Sequence, residues 1–463
     1  MIYKILFVIL TLLAMPAFAL NAIQGGDLPQ PLFPTDNWWN QDISTWPTDS
    51  SSASYIAFIN NGGTRHLHPD FGGDSGDGNG IYGMPYAVVS GVTNADLQVV
   101  NFLYADESDG VNHTTGQGVP FYPIPPLAIT QAHWIEGGDP GNVDLRGSAD
   151  RHLYIVDRDK NYLYELYNVF YDADLGQWQA GSGAFFDMNT NTRRPDGWTS
   201  ADAAGLAILP GLVRYDEAYD DSLPEIRHAF RVTMRSTNGY VYPASHRAGS
   251  TSGALPMGAR LRLKASVDVT KKSGDPRVQK IFRAMQKHGL IVADNGSDMY
   301  ITGTYDTRWD NDILNPAFSA LTANDFELIQ LGYNVTPTAN DTVTLQTNSP
   351  SIVGAGIGDD TYVLGPNTLS SMANLTLSDT QGNNVLQLAG GLSITKSEVT
   401  AAALRLTLDS GAKVTILGAD AFQYDVGGNG TLVAYAAFSQ NTLKVTVPSA
   451  GIVTGGPVTI TAP

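Results

Sequence analysis

No cysteine occurs anywhere in the 463 residues, and that absence removes disulfide staples and thiolate metal sites from the folds open to the chain. A protein of this length must then hold itself by apolar burial, hydrogen bonds and bound cations. It is long enough for two or more domains with sizeable cores. The constraint matters because the chain opens like an exported one. Met1, Tyr3 and Lys4 precede an apolar run from Ile5 to Met15, and Ala17 to Ala19 offers a small-x-small cleavage site. The run is too short to span a bilayer, and no later segment approaches eighteen apolar residues. The expectation is a secreted protein, extracellular or held in the periplasm or at the cell surface. Residues 1–19 would be its signal peptide, and no segment would span a membrane.

The formal net charge of −18 argues against nucleic acid or anionic lipid as the main partner. Charged residues make up only 16%, while there are 48 glycines and 21 tyrosines; many turns and aromatics with few charges suit an extracellular β protein. All eight histidines and all seven tryptophans lie before Asp310. A polar Pro/Thr/Asn stretch follows from Tyr333, and short alternating apolar runs begin after it. The chain therefore divides into a main domain over 20–335, a linker over 336–345 and an all-β tail over 346–463.

Within the main domain, His152 to Asp157 and Tyr162 to Tyr167 read as a hairpin joined by a polar connection. One helix stands out. Asp275 caps it, Pro276 fills its first turn, and Val278, Ile281, Phe282 and Met285 form its apolar stripe before Gly289. The expected fold is mainly β: an antiparallel β-sandwich or jelly-roll-like domain with a few helices, followed by a smaller all-β C-terminal domain.

The segment from Trp198 to His246 carries the densest chemistry. Period-2 alternation from Glu225 to Met234 places His228 on a face with Ile226, Phe230, Val232 and Met234. It is either a hydrogen-bonded core histidine or a group on the concave face of a binding sheet. A partner strand from Tyr240 to His246 would bring a second imidazole. A two-residue turn leaves His228 and His246 on opposite faces; a three-residue turn gives His228, Tyr242 and His246 one face. Asp202, Asp216 and Glu217 lie upstream. With the two histidines they are candidate catalytic groups for general acid–base work, set against simple roles as a cap or an Arg214 partner.

His66-x-His68 followed by Asp70 is a weak acid–base or metal pattern. The loop from Gly72 to Gly80 offers Asp74 and Asp77 as oxygen donors for calcium, against a plain polar loop. Trp198, Tyr240, Tyr242 and His68 are candidate substrate-binding residues. Flat rings beside carboxylates suit the apolar faces of sugars, although tryptophan is equally a core residue in β proteins. No nucleophile elbow, phosphate loop, zinc-protease helix or dinucleotide fingerprint appears.

Four strings, Phe33 to Asn40, Gly197 to Gly205, Leu209 to Glu217 and Ala293 to Ser297, give residues 31–330 a resemblance to a group of secreted bacterial and fungal proteins without an assigned activity. That resemblance implies one integral secreted domain and brings no catalytic residue. Ala355 to Val363 resembles the nonapeptide of RTX (haemolysin-type) proteins, departing from it at Ala355, where the pattern has glycine. This implies Asp359 and Asp360 as calcium ligands, with calcium the one cofactor suggested. Such tails serve attachment or secretion.

Together these features lead to a secreted carbohydrate-active enzyme, a polysaccharide hydrolase or lyase acting on an extracellular glycan, with the acidic chain favouring neutral sugars. A non-catalytic glycan-binding, adhesion or matrix protein is the alternative.

Overall fold

The computed structural model describes residues 20–73, 81–137, 150–333, 340, 342–346, 352–353, 358–371, 373–379 and 382–461. The main domain is mainly β, with three larger sheets and a two-stranded ribbon, Val111–Asn112 with Gln117–Gly118, among the described residues. The expected hairpin forms as Leu153–Asp157 and Tyr162–Tyr167, with Asp157 opposite Tyr162. It sits in a middle sheet between Tyr86–Ser90 and Ser182–Asp187. Pleating sends Leu153, Ile155, Tyr164 and Leu166 to one side, where they pack on Val100, Tyr122 and Trp178 of a four-stranded outer sheet. This pair of sheets is the sandwich. The opposite side of the hairpin carries Tyr154, Val156 and Leu163, buried against Leu28, Met84 and the segment 201–212.

The third sheet positions the candidate site. Its strands run Phe326–Leu328, Arg260–Leu263, Leu290–Asn295, Phe230–Met234, Tyr300–Thr302 and His68–Asp70. Phe230, Val232, Met234, Leu261, Leu290, Val292 and Ile301 share one apolar face with the helix Pro276–Lys287. Burial of each such side chain contributes roughly 1.5–3 kcal/mol. The helix starts as its sequence dictates, with the Asp275 carboxylate accepting from the backbone N–H groups of Arg277 and Val278. Helices Ser52–Asn60 and Asn311–Ser319 were not anticipated. The first lacks an amphipathic stripe, and the second contains Pro316.

The sheets are mixed: Phe230–Met234 runs parallel to Leu290–Asn295, and His68–Asp70 parallel to Tyr300–Thr302. The strand read from Glu225 begins only at Phe230. The expected partner strand over Tyr240 to His246 does not form; Tyr240 makes an isolated bridge to Met257 and Asn238 one to Ser250. Both places beside Phe230–Met234 are occupied by strands from residues 290–302. Neither turn alternative for His228 and His246 therefore applies.

In the tail, Thr342–Thr344, Thr361–Leu364, Val385–Ala389 and Gln423–Gly427 stack in parallel as one sheet. Ile352–Val353, Asn374–Ser378 and Lys413–Leu417 stack in parallel as a second. The chain alternates between the two, with one antiparallel hairpin, Ser393–Val399 and Ala403–Leu408, inserted. Leu364, Leu377, Leu388 and Ile416 fill the space between. The stretch read as linker thus already enters the tail at Thr342. Among the described residues no helix is long and apolar enough to cross a membrane.

Candidate active site

The polar face of the third sheet is the reverse of the one the sequence singled out. Opposite Phe230 and Val232, alternation turns Arg231 and Thr233 outward, level with Tyr300, Thr302, His68 and Asp70 of the next strands. A bulge between Val232 and Thr233 sets Asp294 opposite Thr233 and hence on that face. Arg231 is its hub. Nε and Nη2 donate to the two Asp202 oxygens at 2.7 and 2.8 Å, Nη1 donates to Thr302 Oγ1 at 2.8 Å, and Nη2 also reaches Asp294 Oδ2 at 3.1 Å. This is the bidentate geometry to which a guanidinium is suited.

From the middle sheet, His152 faces this hub. Its Nδ1 is 2.7 Å from Glu136 Oε2 and its Nε2 3.1 Å from the Ala201 carbonyl. Burial opposes charging the imidazole, but the hydrogen bond and charge of Glu136 outweigh it, and the His152 pKa is raised. Burial likewise opposes the Glu136 carboxylate, yet His152 and Arg231 hold its pKa below the ordinary value. Residues 200–204 lie between the sheets. Ala201 is tied to His152, Asp202 to Arg231, and the Ala204 N–H to the Ala293 carbonyl at 2.9 Å. Beneath them, fully buried Glu165 accepts from the N–H groups of Ile208 and Leu209, and burial pushes its pKa up to about 7.

Three carboxylates of this group stay in reach of water. The Asp294 side chain is 29% exposed. Burial, then the charge of Asp202, push its pKa up to about 6 against the pull of Arg231. Glu136 is 25% exposed. Asp70, at the sheet edge, is open to water yet crowded by protein; desolvation and Glu136 raise its pKa, while Arg231 and His68 oppose the rise. Half-buried Tyr167 feels the charges of both Asp294 and Glu136.

The five expected catalytic residues divide between two places. Asp202 and His246 lie at this site. Asp202 is sealed and clamped by Arg231, and half-buried His246 lies with its Nδ1 2.8 Å from the Ala203 carbonyl. Glu217 and His228 belong elsewhere. His228 Nε2 is 2.8 Å from Glu217 Oε2, Arg214 donates to Glu217 Oε1, and all three are buried. Asp216 stands at the edge of that group, 3.4 Å from Arg214 Nε. These five therefore do not come together at one place.

Among the expected binding residues, half-buried Trp198 packs against His113 and under the Arg194 guanidinium, four residues before Asp202. His68 is stacked on Tyr300 at the edge of the site. Tyr240 is buried, and Tyr242 packs edge-on to Trp38. Asp74 and Asp77 lie outside the described residues. Asp359 accepts from the Asn383 backbone and side chain, and the Asp360 N–H donates to Asn384. Among the described residues no group of three or more His, Asp or Glu side chains is arranged to hold a metal ion.

Sequence reasoning passed over Glu136, Arg231 and Asp294 as site residues. Arg231 and Asp294 were legible in principle from the face opposite Val232; nothing marks Glu136 before the chain folds. Comparison with protein-family models, curated proteins and solved structures gives no match for this chain. One carboxyl with a raised pKa and another with a lowered pKa, both wet and both near Arg231, are suited to exchange protons with a bound substrate.

Proposed function

We propose that the protein is a secreted carbohydrate-active enzyme that hydrolyses an extracellular polysaccharide, with Asp294 as general acid and Glu136 as the paired carboxylate. The observation that carries this is the opposite displacement of the two acids. Asp294 is protonated more readily than an ordinary aspartate, Glu136 less readily than an ordinary glutamate, and both are partly exposed. Glycoside hydrolysis needs one carboxyl to give a proton to the leaving oxygen and another to activate water or attack the sugar. His152 holds Glu136 ionised, and Asp202 orients Arg231 beside Asp294; both are positioning residues. Trp198 offers a ring face on which a sugar could stack. Elimination is less well supported, because His152 is buried and Arg231 is already occupied by two carboxylates.

The tail is read as an attachment or secretion module. Its two parallel sheets, and the Asn340, Asp359 and Asn383 contacts that link successive turns, support that role. The test is incubation of the full chain and its Asp294→Asn variant with a panel of neutral and acidic polysaccharides. New reducing ends from the parent and none from the variant are expected. Unsaturated uronate absorbance would replace hydrolysis by elimination, and binding without any release would leave the glycan-binding alternative.

A further inference from the structure

Three arginines project from the polar face of the third sheet, and they are not equally compensated. Arg231 has Asp202 and Asp294. Arg262 has Glu327 at 2.8 Å and three backbone carbonyls. Arg260, two residues before Arg262 and only 6% exposed, has no carboxylate partner among the described residues. Its Nη2 donates to the Trp38 carbonyl and its guanidinium lies 5.4 Å from the Trp46 ring centre, but its Nη1 is buried with no protein partner. Burial lowers its pKa to about 10, which leaves it charged at neutral pH.

A further buried donor without a protein partner lies beside it: Trp38 Nε1, whose ring meets Tyr242, a residue that in turn acts on Arg260. Arg193, paired with Asp196, lies 5.6 Å from the Tyr242 ring centre. In a chain with 45 acids and 27 bases a buried guanidinium with no carboxylate beside it is a local inversion of charge. A buried guanidinium and an unsatisfied N–H group each cost free energy until something accepts from them.

We propose that Arg260 and Trp38 form an anion-binding site, separate from the Asp294 and Glu136 pair, that takes one small monovalent anion: a halide or a carboxylate group. The one acceptor at the donor set, the Trp38 carbonyl, is already taken by Arg260 Nη2, and the partly exposed Arg193 and Tyr242 lie on its outer side. A free ion and the carboxylate of a bound uronate share this chemistry.

The full chain in chloride-free buffer of fixed ionic strength would be titrated with sodium chloride, sodium acetate or sodium glucuronate. Tryptophan fluorescence is the readout, since Trp38 and Trp46 both touch Arg260. A saturable change is expected, weakened about tenfold or more in Arg260→Met and in Trp38→Phe, which keeps an aromatic ring but loses the N–H, the loss of a charge-assisted or neutral donor. Saturation by chloride or acetate identifies a free-ion site; saturation by glucuronate alone identifies a sugar carboxylate subsite. A linear response in all three titrations, or titration of both variants identical to the parent, overturns the proposal. Trp38→Phe keeps the test decisive if Arg260→Met fails to fold.

Discussion

Arg231 grips Asp202 through two parallel hydrogen bonds of 2.7 and 2.8 Å in the interior between two sheets. Asp202 is 2% exposed and Arg231 4%. Removing Asp202 leaves the buried Arg231 charge with only the partly exposed Asp294, at 3.1 Å, to balance it. Asp202→Ala should cost about 3–5 kcal/mol in denaturant unfolding, and Asp202→Asn less, because one acceptor oxygen remains.

Asp294→Asn should fold with nearly the parent's stability and lose roughly 10²–10⁴-fold in turnover on whichever polysaccharide is cleaved. With the Asp294 pKa at about 6, the parent's turnover should fall as pH rises through that value. A rate unchanged from pH 5 to pH 8 would remove Asp294 from the role of acid.

Glu217→Gln makes the contrasting case. Arg214 and His228 outweigh burial and lower the Glu217 pKa. The folded state therefore holds its proton less tightly than the unfolded chain, and the stabilisation is present above the ordinary pKa and lost as pH falls through the depressed one. The variant should lose stability at neutral pH while keeping the parent's turnover per folded molecule. A loss of turnover without loss of stability would return Glu217 to the catalytic machinery.

Glu165 behaves in the opposite sense. Its pKa moves from 4.5 to about 7 on folding, so the folded state binds the proton more tightly. Its contribution is full below about pH 4.5 and declines as pH rises through 7, by on the order of 3 kcal/mol in total. Glu165→Gln should flatten that part of the stability profile, measured by urea unfolding at several pH values.

Gly205→Ala tests the segment between the sheets. Gly205 has φ +73°, and a methyl group there would collide with the Ser245 hydroxyl and the Trp198 carbonyl. Strain and collision together should lower the melting temperature and displace Trp198, visible as a shift in tryptophan emission.

The mainly β class, the Pro276–Lys287 helix and the Leu153–Tyr167 hairpin were legible because each rests on local periodicity and capping. The site was not. The alternation that marked His228 as facing Phe230 and Val232 described an apolar face, and the polar face that carries Arg231 is its reverse. Glu136 and His152 meet through a loop and a strand end 16 residues apart, and Asp294 reaches its place through a bulge; neither leaves a periodic trace. Asp202 was picked out by its small neighbours, and those neighbours do let it pass between two sheets, where it is sealed.

Residues 200–204 carry one further consequence. Because Ala201 is tied to one sheet and Asp202 and Ala204 to the other, the two sheets are braced as a single mechanical body. Any motion that parted the two sheets would first have to break these bonds at residues 201–204.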